Sequence, residues 1–174
     1  MVIQAKNIAR RLDLQSIYLH ASSSAFLNEF DPLIGNQQLS GQFRIDTLRV
    51  DKKSITENTA THQFLRYFIQ AGMRYIKGIP SDDEMKNEEW VKSNLASEIT
   101  AIFCVEYLIK AEEELSNDEI KEFGRVNAPY HVWPYWREYC QNTCVRMSLP
   151  ATMVPMLIID TVPKQTDPVM VENQ

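Results

Sequence analysis

From Leu39 onward, apolar residues stand at Leu39, Phe43 and Ile45 with Ser40, Gln42, Arg44 and Asp46 between them, the period of two that marks a strand with one buried face. Near Thr47 the phase flips to Leu48 and Val50. An extra residue re-aims a strand's side chains without ending it, so a bulged strand is expected over about 37–52. Leu12, Leu14, Ile17, Tyr18 and Leu19 show a similar phase change in a polar background, which predicts a first strand over about 8–22. In the next two segments the odd positions are apolar: Leu65, Tyr67, Ile69, Met73 and Tyr75, then Ile99, Phe103, Val105, Tyr107 and Ile109. Phe64, Leu65, Phe68, Ile69, Met73 and Ile76 also approximate a helical period, so periodicity alone leaves both readings open. Richness in Ile, Tyr and Phe favours strands, over about 60–77 and 93–111.

Between these two segments, the stretch 78–90 is acidic and turn-rich and reads as a solvated surface excursion. Ser116 with Glu119 three residues on is a capping-box signature that opens a short helix over about 117–124, ending at Gly124. Pro129 breaks the chain, and Pro134 suits the first turn of a second helix over about 134–148. There Trp136, Cys140, Thr143, Cys144 and Met147 share one face, opposite Arg137, Glu138, Gln141, Asn142 and Arg146. Residues 151–163 are apolar but interrupted by Pro155 and Pro163, which predicts an extended run along the body, with a loose tail from about 164. No repeat, low-complexity tract or linker divides the chain, so one domain is expected over 1–174.

Composition narrows the function. Hydrophobic residues make up 44% and charged residues 24%, as in globular proteins. A net charge of −5 and a pI near 5.2 argue against nucleic acid as a partner. No apolar run approaches the roughly 20 residues of a membrane span, and the first residues lack a signal-peptide order. A cytoplasmic location with no membrane partner is expected. Cys104, Cys140 and Cys144 are too few and too odd a set for a disulfide framework, and no phosphate-cradling glycine motif occurs.

Candidate chemistry is sparse. His131, Cys140 and Cys144 invite a zinc site, but tetrahedral zinc needs four ligands and buried free cysteine is common in cores, so no metal is expected. Nothing marks a strained nucleophile elbow beside the Cys/His residues. The runs Asp82-Asp83-Glu84, Glu88-Glu89 and Glu112-Glu113-Glu114 read as solvated faces, with no apolar pocket to perturb them. The chain is therefore read as a non-enzyme without cofactors. Trp133, Tyr135, Trp136, Tyr139 and Met147, followed by Met153 and Met156, remain conspicuous. Such a stripe by itself reads more often as core than as binding surface, although Met-rich surfaces do suit varied partners.

The segment from Val132 to Pro155 resembles the signature of SecB chaperones, in which a Pro-Tyr-Ala-Arg-Glu helix start leads into an Arg-Gly-x-Phe-Pro loop and an apolar Leu-x-Pro segment. Pro134, Tyr135, Arg137, Glu138, Arg146, Pro150 and Pro155 match in order and spacing. Upstream, Ile17-Tyr18, the stretch Phe43 to Thr47 and the stretch Thr100 to Cys104 match more weakly, so the resemblance spans roughly residues 8 to 160. It implies an α+β fold, a four-stranded antiparallel sheet with C-terminal helices, assembled as a dimer of dimers. It also implies strands for the two ambiguous segments.

The export chaperones of that family carry acidic residues on the sheet face that docks the SecA motor. This chain has Ala21, Ala25 and Val105 at the positions taken as corresponding, and residues 159–174 match neither the family's last helix nor its motor-binding tail. It therefore looks more like the solitary SecB-like proteins of toxin–antitoxin–chaperone systems. The implied function is that of an ATP-independent holdase for an extended or unfolded client, an antitoxin with a chaperone-addiction extension. The alternative is a general export chaperone delivering preproteins to SecA; a third reading, from another class, is a small-ligand or enzymatic domain using the same apolar cavity. The client groove is expected to be lined by Phe43, Ile45, Trp133, Trp136, Met153 and Met156. Cys104, Glu106 and Leu108 are expected near the dimer–dimer contact of a homotetramer.

Overall fold

The computed structural model describes residues 8–34, 37–58, 60–110, 114–150, 152–157 and 171–173. Four long strands carry the alternation read in the sequence: β1 (Leu12–Phe26), β2 (Leu39–Glu57), β3 (Ala60–Lys77) and β4 (Leu95–Ile109). They pair antiparallel in the order β1-β4-β3-β2. Both ambiguous segments are strands. Leu65, Tyr67, Ile69, Ala71, Met73 and Tyr75 on β3 and Ile99, Ala101, Phe103, Val105 and Tyr107 on β4 are buried on one common face.

The phase flip in β2 is a bulge. Thr47 pairs with Ile69 and Arg49 with Phe68, so Leu48 is the extra residue and stands partly exposed. β1 has two such shifts, between Leu14 and Ser16 and between Leu19 and Ala21. It runs to Phe26 instead of ending near 22, because Ser22 to Ala25 pair with Glu98 to Ala101 whatever their side chains. Residues 8–11, expected in this strand, are helical. β2 likewise continues through Lys52 to Glu57, polar except for Ile55, and at the hairpin Asn58 takes a positive φ of 46°.

The expected surface excursion holds two short helices, α1 (Asp82–Lys86) and α2 (Glu88–Asn94). Ser81 closes a capping box with Glu84, and Asn87 accepts from the backbone of Glu89 and Trp90. The same serine-to-glutamate spacing that marked the later helix was present here too.

The two expected C-terminal helices are one. α3 runs from Asn117 to Arg146 with Gly124, Pro129 and Pro134 inside it. Each internal proline costs about 3 kcal/mol or more. Burial of Phe123, Ala128, Pro129, Val132, Trp133 and Trp136 against the sheet offsets that cost, so propensity yields to packing. The expected loose tail lies outside the described residues except for β5 (Val171–Asn173), which pairs parallel to Val50–Lys52 of β2. Among the described residues no helix is long and apolar enough to cross a membrane.

Candidate functional site

One face of the sheet receives α3, which packs across β2, β3 and β4. Side-chain hydroxyls from the sheet fix its position. Tyr67 donates to the Ile120 carbonyl at 2.9 Å and Thr47 to the Gly124 carbonyl at 2.6 Å. The Tyr107 hydroxyl meets His131 Nδ1 at 2.7 Å. Burial holds the Tyr67 and Tyr107 hydroxyls well above the ordinary tyrosine range, so both act as donors, and burial pushes His131 down, so its ring accepts as the neutral form.

After α3, Ser148 adopts φ 52° and turns the chain back along the helix. The segment that follows is extended and held at two points. Tyr75 donates to the Pro150 carbonyl and the Trp133 indole to the Pro155 carbonyl, both at 2.9 Å. Val154 plugs the core between these anchors, which leaves Met153 at 88% and Met156 at 78% exposure on a tethered backbone.

The structure divides the six residues expected to line a groove. Trp136 is fully buried, and Ile45 and Trp133 belong to the same core, because the inward side of the sheet is the face α3 covers. Phe43, opposite Met73, is half-buried, and only Met153 and Met156 are open. The expectation that all six face a client is therefore corrected to an accessible set of Phe43, Met153 and Met156. Leu14, Leu19 and Phe26, which sequence reasoning missed, add to it. They stand partly exposed on the first strand, which α3 does not cover. A signal for them was present: no Asp, Glu, Lys or Arg lies between Asp13 and Glu29.

The opposite face of the sheet is not covered by α3; α1 reaches one end of it, where Gln42 Nε2 meets the Met85 sulfur at 3.2 Å. Here Cys104, Glu106 and Leu108 follow one another along β4, with Tyr18 and Phe68 as the cross-strand neighbours of Cys104. Arg49 lies 3.8 Å over the Phe68 ring, and His20 meets its edge at 5.0 Å. Glu106 pairs with Arg66, Asp51 with Arg49 at 3.2 Å, Glu98 with Arg44 at 3.7 Å and Asp13 with Lys110 at 2.6 Å. A shallow cavity of about 180 Å³ opens beside Gln42, Arg44, Gly72, Arg74 and Glu98. Ala21 and Ala25 lie on this face, but Val105 points into the core, so its assignment to a docking surface does not hold. The neighbouring carboxylate on the open face is Glu106.

His131 lies apart from the sulfur pair on the same helix. Cys140 approaches the Met73 sulfur at 3.6 Å, whereas the histidine is engaged with Tyr107. Among the described residues no three His, Cys, Asp or Glu side chains converge as metal ligands.

No family model matches the sequence, and no curated protein matches it. Among solved structures the chain is similar to the SecB-like chaperone of Mycobacterium tuberculosis, solved in complex with a ChAD peptide from the HigA1 antitoxin. The two superpose with a TM-score of 0.59 at 15% identity, over 90% of this chain and 97% of that one. The antiparallel sheet β1-β4-β3-β2 with its long C-terminal helix is the fold of the SecB-like chaperones.

Proposed function

We propose that this chain is an ATP-independent holdase that binds extended segments of an unfolded client, the client being the antitoxin of a toxin–antitoxin–chaperone system. The observation that carries the reading is the tethered segment 152–157, which holds two methionines in solvent where a monomeric protein would gain by burying them. Unbranched thioether side chains adapt to many apolar partners, as a holdase requires. The fold likeness to a chaperone solved with an antitoxin peptide supports the same reading. A client extension loses about 2–5 kcal/mol of ordering free energy on binding, so several anchors along Phe43, Met153 and Met156 must act together.

Assembly belongs to the proposal. β1 is a 15-residue edge strand without a charged residue after Asp13, and among the described residues no strand pairs with its outer edge. Natural edges of this length are ordinarily blunted by charge, so we assign this edge to a second copy. Glu106 and Leu108 on the open face are the proposed contact between dimers, with Cys104, closed to solvent, beneath them. Light scattering decides it: a tetramer of 20.2 kDa chains is expected, and a monomer at micromolar concentration rejects the assembly.

The client is tested by co-expressing the chain with the products of neighbouring genes and deleting the terminal extension of the antitoxin. Loss of antitoxin protection on deletion is expected. A shortened antitoxin that still depends on the chaperone, or SecA binding as tight as that of an export chaperone, replaces this reading with the export one.

A further inference from the structure

On the face of the sheet turned away from α3, two arginines from neighbouring strands share one cavity. In the cross-strand register Arg44 stands opposite Gly72, and Arg74 has Gln42 on one side and Glu98 on the other. These five residues line a space of about 180 Å³. Gly72 makes room for it. A Cβ there would lie 3.0 Å from Arg44 Nε and 3.2 Å from its Cγ, so the missing side chain is what lets Arg44 lie across β3. Arg74 is oriented by Gln42, whose Oε1 accepts from Nε at 2.8 Å, and Gln42 is held in turn by the Met85 sulfur of α1 at 3.2 Å.

Neither guanidinium is fully engaged. Elsewhere on this face Arg49 and Arg66 hold carboxylates within hydrogen-bonding reach. Arg44 comes no closer than 3.7 Å to Glu98, with both side chains about half exposed. Among the described residues Arg74 has no carboxylate in ion-pairing reach and no partner for its terminal nitrogens. Asp46, two residues along β2 on the same face, does not line the cavity. The lining therefore carries two positive charges against one negative, within a chain whose net charge is −5.

Size and charge select the ligand. Pockets for cofactors and other small molecules run to about 300–1,000 Å³, so this one takes the tip of a side chain and not a nucleotide. A carboxylate meets a guanidinium through two parallel hydrogen bonds, and its single charge matches the excess on the lining. A phosphomonoester brings nearly twice that charge, and α1 opens with Asp82, Asp83 and Glu84 at the same end of the sheet, which disfavours it. We infer that this cavity binds the side-chain carboxylate of an acidic peptide segment, gripped between Arg44 and Arg74. A segment lying extended on the flat sheet points alternate side chains into it, which brings an Asp or Glu to the cavity end-on. The site is distinct from the client surface at Met153 and Met156, which lies on the α3 side. It is also distinct from the proposed dimer contact: Glu98 precedes Glu106 by eight residues of β4, about 27 Å along the strand.

The test is protection of the arginines of the purified full chain from phenylglyoxal, read residue by residue by peptide mapping and mass spectrometry. N-acetylglutamate α-amide at millimolar concentration should slow modification of Arg44 and Arg74 together. N-acetylglutamine amide, of the same shape but neutral, should not, and exposed Arg146 should react at one rate throughout. Glu98→Gln frees Arg44 and should tighten binding of the glutamate probe about two- to fivefold, the worth of an exposed ion pair. Gly72→Ala lifts Arg44 off the strand and should weaken protection of Arg74 about tenfold, the worth of one charged hydrogen bond. Circular dichroism checks that both variants are folded, and Arg44→Lys, which keeps the charge and loses the fork, serves if Gly72→Ala is not. The site is overturned if the glutamate probe gives no protection, if its glutamine twin protects equally, or if Arg146 is protected to the same degree. Stronger protection by N-acetylphosphoserine amide reassigns the cavity to phosphate, and undiminished protection in a folded Gly72→Ala or Arg44→Lys chain removes the grip described here.

Discussion

Gly124→Ala tests how closely α3 must approach the sheet. A Cβ at this position would lie 2.7 Å from Cε1 and 3.0 Å from Cδ1 of Tyr67, and 3.6 Å from the Thr47 methyl. Neither neighbour can move freely. Tyr67 is fully buried, its hydroxyl bonds the helix at Ile120, and its ring packs on Tyr107 and Phe123 at centroid distances of 5.9 and 5.8 Å. Helix propensity alone predicts a gain of about 1 kcal/mol from Gly to Ala. Overpacking costs about 1–3 kcal/mol, and loosening the Thr47–Gly124 and Tyr67–Ile120 hydrogen bonds adds about 0.5–1.5 kcal/mol each. The clash wins, with a net loss of roughly 1–5 kcal/mol, or about 2–20 °C in midpoint for a chain of this size. Gly41→Ala is the control, because its added Cβ meets only Tyr75 at an ordinary 3.5 Å. Urea unfolding of both variants at one fixed protein concentration provides the comparison, since assembly makes apparent stability concentration-dependent. A Gly124→Ala protein as stable as wild type, or more so, would refute the close packing described here.

Trp136→Ala should cost about 3–5 kcal/mol in the same assay, whereas Met153→Ser with Met156→Ser should leave stability within about 0.5 kcal/mol per site and weaken suppression of client aggregation; the opposite pattern would move the binding surface back into the expected tryptophan stripe. Stability should fall as pH drops below about 6.5, the value His131 has when unfolded, because its folded value is depressed by burial and the neutral ring is needed by Tyr107. Thermal unfolding between pH 7.5 and 5.5 checks this, and His131→Phe should flatten the slope. Glu119, held low by the Ser116 backbone and hydroxyl and by Arg11, loses its contribution only at more acid pH, so the two windows separate. Glu106→Ala should cost about 1–3 kcal/mol by stranding the half-buried Arg66 guanidinium, seen as a lower urea midpoint; an unchanged midpoint would place that pair among surface bridges of no consequence.

The strands were legible because a sheet with one covered face writes its pattern into alternate residues, and even the bulge at Leu48 showed as a phase change. Where strands run past their apolar pattern, at Ser22–Ala25 and Lys52–Glu57, the backbone ladder alone continues them, and side chains carry no record of it. The break expected at Gly124, Pro129 and Pro134 failed for a related reason. Local propensity was read correctly at each residue, but the decision lay in the sheet the helix rests on. The site suffered in the same way. Trp136 and Met153 are equally apolar in sequence, and what separates them is that one faces β3 and β4 while the other sits on a segment tied at Pro150 and Pro155. The Met73 sulfur beside Cys140 lies 67 residues away in the chain, where spacing rules do not reach.

The open sheet face bears on which partners the proposed holdase can meet. A docking patch that steers a cationic partner needs carboxylates whose field reaches beyond the screening length of about 8 Å at physiological salt. On this face Glu98, Glu106, Asp13 and Asp51 each stand beside an arginine or lysine, so their fields cancel at short range, and Asp46 is the exposed carboxylate for which no ion pair is seen among the described residues. The inward turn of Val105 removes one of three positions from the comparison with motor-docking chaperones, and the neighbouring carboxylate on the face, Glu106, is paired with Arg66. Between the pairs lie Tyr18 and Ile102, with Cys104 and Phe68 buried beside them under Arg49 and His20. Such a mosaic favours contact with a surface carrying its own complementary pairs, as a second copy of the same face does under a two-fold axis, and offers little to a partner that arrives by net charge.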